Sequence, residues 1–304
     1  MQFPLSTMLQ LERTIENDTR HYTGHLNGVH HYGISATSLV SKFDPKPWYL
    51  PWLRKLGGEV IPEWVSFNLS GDELEEEILR LGRIEAEKVS DKAAKLGTSW
   101  HEQVEHYLNH QNCTNTNWEE LFEEKPELFK FLQQVDIYQH SEFFGSEIPL
   151  IYKDECGYCV GGTADVLFTV NLGDFAIYKE SETKLPQQFL AIGDWKFPSN
   201  PKYAGSCLHY FVQLAIYRAS LKYTYDIEVN DALLVQSPNY NKDGTPYKKL
   251  FLFWLDKEML DYYEWIFKKM LWLYNHDLVF EFNWAEFVEE TKAKNLQGKR
   301  LVFK

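Results

Sequence analysis

The sequence predicts an α/β fold with a mixed central sheet flanked by helices. Two observations carry this. Over several long stretches apolar residues recur every three or four positions, as in helices with one buried face. Between them lie short apolar runs bounded by turn residues, as in strands. Strands with helices on both sides build a layered core.

The elements follow in order. Residues 20–34 read as turn and loop, with a short strand at Tyr32-Gly33-Ile34. Ser35 to Ser38 offer caps for a short helix through Leu39 and Val40. Three prolines keep 43–51 out of a helix. A long helical region, in one or two pieces, is expected over 72–109. Its stripe is Val89, Ala93, Leu96, Trp100, Val104 and Leu108. A second helix is expected over 118–139. Strands are then expected at 146–152, 160–170 and 189–196, with a turn at 154–158. A helix over 203–222 follows, then a strand at 231–236 and a hairpin through Asn241 to Gly244 into 250–255. Helices at 257–275 and 284–294 complete the reading. One domain is expected: a helical N-terminal elaboration over 1–90, a core over 91–280, and a C-terminal helix with basic tail over 281–304.

Composition bounds the function. The 304 residues suffice for a sizeable core, and 10 Trp, 18 Tyr and 20 Phe exclude disorder as the main state. The net charge of −13 excludes a protein that coats duplex through an overall basic surface. No run reaches the about 20 apolar residues of a membrane span. The first twenty residues lack a basic stretch followed by an apolar one, and they carry Glu12, Glu16 and Asp18. The cysteines are Cys113, Cys156, Cys159 and Cys207, too few for a disulfide scaffold, so a cytoplasmic location is expected. Cys156-Gly-Tyr-Cys159 lacks the second pair of a metal site and reads as a turn around Gly157. The charge is uneven. Acid clusters at 72–77 and 119–127 hold ten of the 44 acids, whereas 291–304 has five basic residues and no acid.

One constellation carries chemistry. Asp165 ends a Gly-Gly-Thr-Ala-Asp run, and Asp194-Trp195-Lys196 lies at the end of another strand. Residues i and i+2 of a strand share a face, so Asp194 and Lys196 point one way and Trp195 the other. If the strands pair as a hairpin, Asp165 comes close to Asp194. Two adjacent carboxylates repel unless a cation sits between them, and hard oxygen ligands favour Mg²⁺ or Mn²⁺. Carboxylates, a divalent ion and a lysine that orients or deprotonates water, or stabilises phosphoryl charge, suit phosphodiester hydrolysis. The alternative is two ordinary acids and a solvated lysine. His101 and Glu105 lie one helical turn apart on one face, with Gly97 a turn earlier allowing close helix approach. His101 reads as a metal ligand or a satisfied core histidine. His209, Gln213 and Tyr217 form a polar line on an otherwise apolar helix and need partners.

These residues in this order resemble the RecB-like exonuclease branch of the PD-(D/E)XK nuclease superfamily. The matching positions are Gly97 and His101, Gly162, Thr163 and Asp165, Asp194 and Lys196, then Gln213 and Tyr217. Upstream, Ser35-Ala-Thr37-Ser-Leu-Val and a following tryptophan, Trp48 or Trp52, resemble the mitochondrial genome maintenance exonucleases and their phage relatives. The resemblance implies a PD-(D/E)XK core and a metal-dependent DNA exonuclease that prefers single-stranded ends. It would act in DNA processing, replication or recombination, and the lack of a transit-like N-terminal segment favours a bacterial or phage-infected cell over an organelle. It implies that His101, Asp165, Asp194 and the Trp195 carbonyl hold Mg²⁺ or Mn²⁺ and that Lys196 is catalytic. Gln213 and Tyr217 would hold the lysine or the DNA backbone, and Ser35 and Thr37 would meet a phosphate. Glu147 matches a recurring acid of unassigned role, and Glu105 is likewise unassigned. Phe197 stands where relatives more often have Thr or Ser. No cysteine follows Cys207, so no iron–sulfur cluster is expected. The alternatives are an endonuclease of the same superfamily and an inactive module that binds DNA ends.

Overall fold

Local turn chemistry builds the first sheet segment. The computed structural model describes residues 9–46, 49–62, 65, 69–110, 116–139, 145–171, 173, 175–178, 188–241 and 244–303. Trp48 and Cys113 lie outside them. Strands β1 (Leu11–Glu16), β2 (Thr19–Leu26) and β3 (Val29–Ser35) form an antiparallel meander. The loops Asn17-Asp18 and Asn27-Gly28 have positive φ at all four positions, which matches the right-handed twist of paired strands. This corrects the expectation of turn and loop over 20–31 and of a helical N-terminal elaboration, while the short strand expected at Tyr32 to Ile34 is part of β3. Polar residues occur on both faces of these strands, even at buried His31 and Ser35, and hide the alternation.

Helix α1 (Ala36–Phe43) starts where expected, with Ser35 Oγ accepting the Ser38 N–H at 3.0 Å. Helix α2 (Tyr49–Val60) starts inside the stretch expected to stay non-helical, because Pro51 falls in its first turn, where no helical N–H partner is needed. The single long helix α3 (Asp72–His110) comes next. The expected helix over 118–139 is broken. It divides into α4 (Trp118–Leu121), α5 (Pro126–Leu132) and strand β4 (Val135–Ile137). Pro126 causes the break: it excludes helical backbone at Lys125 (φ −132°, ψ 53°) and starts a new helix at its own first position.

The remaining elements are β5 (Ser146–Lys153), β6 (Cys159–Asn171), β7 (Phe175–Ile177), β8 (Gln188–Lys196) and α6 (Leu208–Tyr225). Then come β9 (Asp231–Gln236), β10 (Phe251–Leu255), α7 (Lys257–Asn275), α8 (Trp284–Ala293) and β11 (Lys299–Phe303). The sheet order is β1-β2-β3-β6-β8-β9-β10-β11-β7, with β4 and β5 also on β6. The β3/β6 and β8/β9 pairs are parallel and the others antiparallel, so the sheet is mixed. The basic tail is not only a tail, because β11 inserts between β10 and β7. The Cys156–Cys159 stretch is a turn, with Gly157 at φ +92°.

Two compact units divide the chain. One is Met1–Asp44 with Glu105–Lys304, and the other is Pro45–Val104. The core of the first buries α1, α6 and α7 with the sheet, through Leu39, Phe211, Ala215, Ile192, Phe253 and Tyr263. The second holds α2 and most of α3. Its helices cross where a Cβ on Gly57 would fall 1.8 Å from the Ile78 carbonyl oxygen. Its acid cluster is a solvated face, with Arg54 Nε 2.5 Å from Glu75. Val89, expected in the apolar stripe, is exposed. Among the described residues no helix is long and apolar enough to cross a membrane.

Candidate metal and phosphodiester site

Strand β6 brings Asp165 to the centre of the first unit. Its ladder with β8 runs to Val166↔Gly193, so the next residues on each strand are Asp165 and Asp194. The antiparallel pairing expected from the sequence is therefore present. The Trp195 N–H donates to Asp165 Oδ2 at 2.8 Å and ties the two strands at this point. The Trp195 side chain turns to the opposite face and is buried against Phe131 and Phe168. Gly193 is required here: a Cβ would fall 2.4 Å from Phe168 Cε1.

Strand β5 adds the second acid. The flanking pairs Ser146↔Val166 and Ile148↔Ala164 put Glu147 across from Asp165. Carboxylate oxygens of the two lie within 4.8 Å of each other. Like charges opposite one another across a ladder are destabilising. Glu147 also takes φ +49°, a conformation that non-glycine residues seldom adopt. Its side chain keeps an exposed surface. Desolvation first, then Asp165 and then Glu105, push its carboxyl up to about 7. Burial also raises Asp165, against the pull of Lys196 and the Trp195 N–H. Hard oxygen donors that resist ionisation together are what a hard divalent cation stabilises.

Asp194 is fully buried, and its two oxygens have separate partners. Lys196 Nζ lies 2.5 Å from Oδ2. Gln213 Nε2 donates to Oδ1 at 3.4 Å and to Tyr217 Oη at 2.6 Å. Desolvation alone would lower the Lys196 pKa, but Asp194 and Asp165 outweigh it and hold the lysine above its ordinary value. Those carboxylates favour the ammonium form of Lys196, which is suited to stabilise negative charge. Helix α6 supplies Gln213 and Tyr217 one turn apart, and Tyr217 packs on β6 because Gly162 has no side chain. A Cβ there would meet Tyr217 Cε1 at 3.2 Å.

The other candidate residues are placed as follows. Glu105 belongs to the last part of α3, within the first unit, and bears electrostatically on Glu147. His101 lies one turn earlier on the same helix, in the second unit. Gly97 does not serve close approach, because an added Cβ would meet nothing within 4 Å. Ser35 is buried and caps α1, and its Oγ lies 3.2 Å from Thr37 Oγ1; Thr37 itself is exposed.

Two residues escaped the sequence reading. The Tyr210 ring is close to two ammonium groups, with Lys196 Nζ at 5.2 Å and Lys202 Nζ at 4.9 Å from its centroid. Tyr210 stands three residues before Gln213 and seven before Tyr217, so helical spacing could have found it. Lys125 is buried at 2% exposure and donates to the carbonyls of Ser237 and Pro238. The Ser237 N–H in turn donates to the Lys196 carbonyl at 2.9 Å. No short-range signal marks Lys125, which reaches this loop over more than a hundred residues of sequence.

A scan against models of known protein families finds no match, and a search of curated proteins finds none either.

Proposed function

We propose that this chain is a metal-dependent DNA exonuclease built on a PD-(D/E)XK core, hydrolysing phosphodiester bonds from single-stranded ends. One observation carries the reading. Asp165 and Asp194-x-Lys196 stand side by side on antiparallel β6 and β8, backed by Gln213 and Tyr217 from α6. Asp165, Asp194 and Glu147 are the oxygen donors that would hold Mg²⁺ or Mn²⁺, with the Trp195 carbonyl. His101, on the face of α3 that Glu105 shares, is the proposed nitrogen ligand. The bound ion supplies a lowered pKa for water and neutralises charge on a phosphoryl oxygen.

The protein's own residues do the rest. Lys196 offers a fixed positive charge to the oxygens of the pentavalent phosphate, where charge develops. Its link to Asp194 holds it in place before substrate arrives. Gln213 fixes the Asp194 carboxylate, and Tyr217 fixes Gln213, so the strand pair is oriented from behind. Two substrates test the reading. An end-labelled linear single strand with Mg²⁺ or Mn²⁺ should shorten progressively, and a circular single strand of the same sequence should stay intact. Cleavage of the circle would assign an endonuclease instead. Binding of strand ends with no cleavage under any divalent ion would leave only an end-binding module.

A further inference from the structure

The chain that leaves Lys196 carries a second surface. Residues 197–207 link β8 to α6, and the hairpin over 239–247 is pinned on this link. The Asn239 N–H donates to the Pro198 carbonyl at 2.9 Å and the Tyr240 N–H to the Ser199 carbonyl at 3.2 Å. The Asn239 side-chain amide donates to the Phe197 carbonyl at 2.9 Å. The hairpin closes on itself through the Tyr240↔Pro246 bridge and the Tyr247 N–H to the Asn239 carbonyl at 3.0 Å. Backbone bonds thus fix this surface with respect to Lys196.

Its side chains are basic and aromatic. Lys202 Nζ donates to Tyr210 Oη at 3.0 Å. Tyr203 is 70% exposed, and both Tyr203 and Arg300 bear electrostatically on Tyr247. Tyr247, Lys248 and Lys249 line a groove of about 440 Å³. Several lysines outside this surface sit in ion pairs. Lys222, Lys257, Lys268, Lys292, Lys294 and Lys299 each pair with a carboxylate. Among the described residues Lys202, Lys248 and Lys249 make no such pair. Glu127 borders the surface, lining a cleft with Lys249 and accepting the Leu250 N–H at 2.7 Å. In a chain of net charge −13, three ammonium groups that outnumber this carboxylate leave a local positive field. Spaced ammonium groups suit a phosphate backbone, and an exposed ring suits an unstacked base. A duplex offers no such base, so the tyrosines favour a single strand.

We infer that this face, from Lys202 and Tyr203 to Tyr247, Lys248 and Lys249, carries the single-stranded segment that adjoins the phosphate at Lys196. The backbone lies along the lysines and a base stacks on Tyr203. The inference rests on the phosphodiesterase reading of Lys196, so its test avoids cleavage altogether. Anisotropy of a fluorescein-labelled oligothymidylate is titrated in EDTA with wild type, Lys248→Ala/Lys249→Ala, Tyr203→Ala and the charge-matched control Lys222→Ala/Lys292→Ala. All these positions are exposed, so circular dichroism should show an unchanged fold.

The double lysine variant should bind about tenfold more weakly, with the salt slope reduced by about 1.4, the value for two strand phosphates. Tyr203→Ala should bind at least about fivefold more weakly at an unchanged slope. The control should match wild type. The inference is overturned if these variants bind like wild type, if the control loses as much, or if a duplex of equal length binds more tightly. Failure of the nuclease reading looks different: wild type would leave strands intact with every divalent ion while the anisotropy pattern persists.

Discussion

Asp165 and Glu147 face each other across β5 and β6; burial raises both carboxyls, and the charge of Asp165 raises that of Glu147 further. Asp165→Asn removes one of the two charges while leaving an oxygen to accept the Trp195 N–H. It should raise the unfolding midpoint of the metal-free protein by a few degrees. Millimolar Mg²⁺ should raise the wild-type midpoint and leave that of the variant unmoved. An equal gain in both would remove Asp165 from the ligand set. Lys125 has the opposite sign of charge and its own pH dependence. Burial lowers its pKa from 10.5 to about 8. Between those values the unfolded chain binds more protons than the folded one, so its contribution to stability rises with pH. Relative to Lys125→Met, wild type should gain on the order of 3 kcal/mol between pH 7 and pH 11 in denaturant titrations. A difference that stays flat or falls would show that burial does not penalise the charge. Asp194 and Lys196 were legible as a pair because i, i+2 spacing fixes a strand face. Lys125 was not, because its partners are carbonyls that carry no residue identity.

At the scale of elements, β6 is the organiser, pairing with β3, β4, β5 and β8. Its neighbour β8 depends on the absence of a side chain at Gly193. Gly193→Ala should destabilise by about 1–3 kcal/mol, because its Cβ meets the fixed ring of Phe168 and the methyl of Val166. An unfolding free energy equal to that of wild type would show that β6 and β8 yield there. Strands β5, β6, β8, β9 and β10 and helices α3, α6 and α7 were legible from apolar runs and periodicity. The meander β1–β3 was not, because both faces carry polar residues, although Asn27-Gly28 marks a tight hairpin. The break at Pro126 was hidden by apolar residues at helical spacing on both sides of it. Strand β11 is a short basic segment whose pairing comes from β7 and β10, far away in sequence.

For the whole molecule, net charge and local field point in opposite directions. The acids of 72–77 lie on a solvated face, while the ammonium groups near Lys196 outnumber the one carboxylate, Glu127, that borders them. Strand binding should therefore weaken steeply as salt rises, despite the charge of −13. Affinity for a single strand that is independent of salt would contradict this placement of charge. Fold class and the acid–lysine centre could be read from the sequence, since both rest on local patterns. The division into two units could not, because it depends on which contacts form across long separations. The most direct test of the central claim is the rate at which an end-labelled single strand shortens with Mg²⁺ or Mn²⁺, for wild type and Lys196→Ala. Shortening by wild type and a loss of about a hundredfold or more in the variant are expected. No shortening with any divalent ion, or equal rates for the two proteins, would contradict the account.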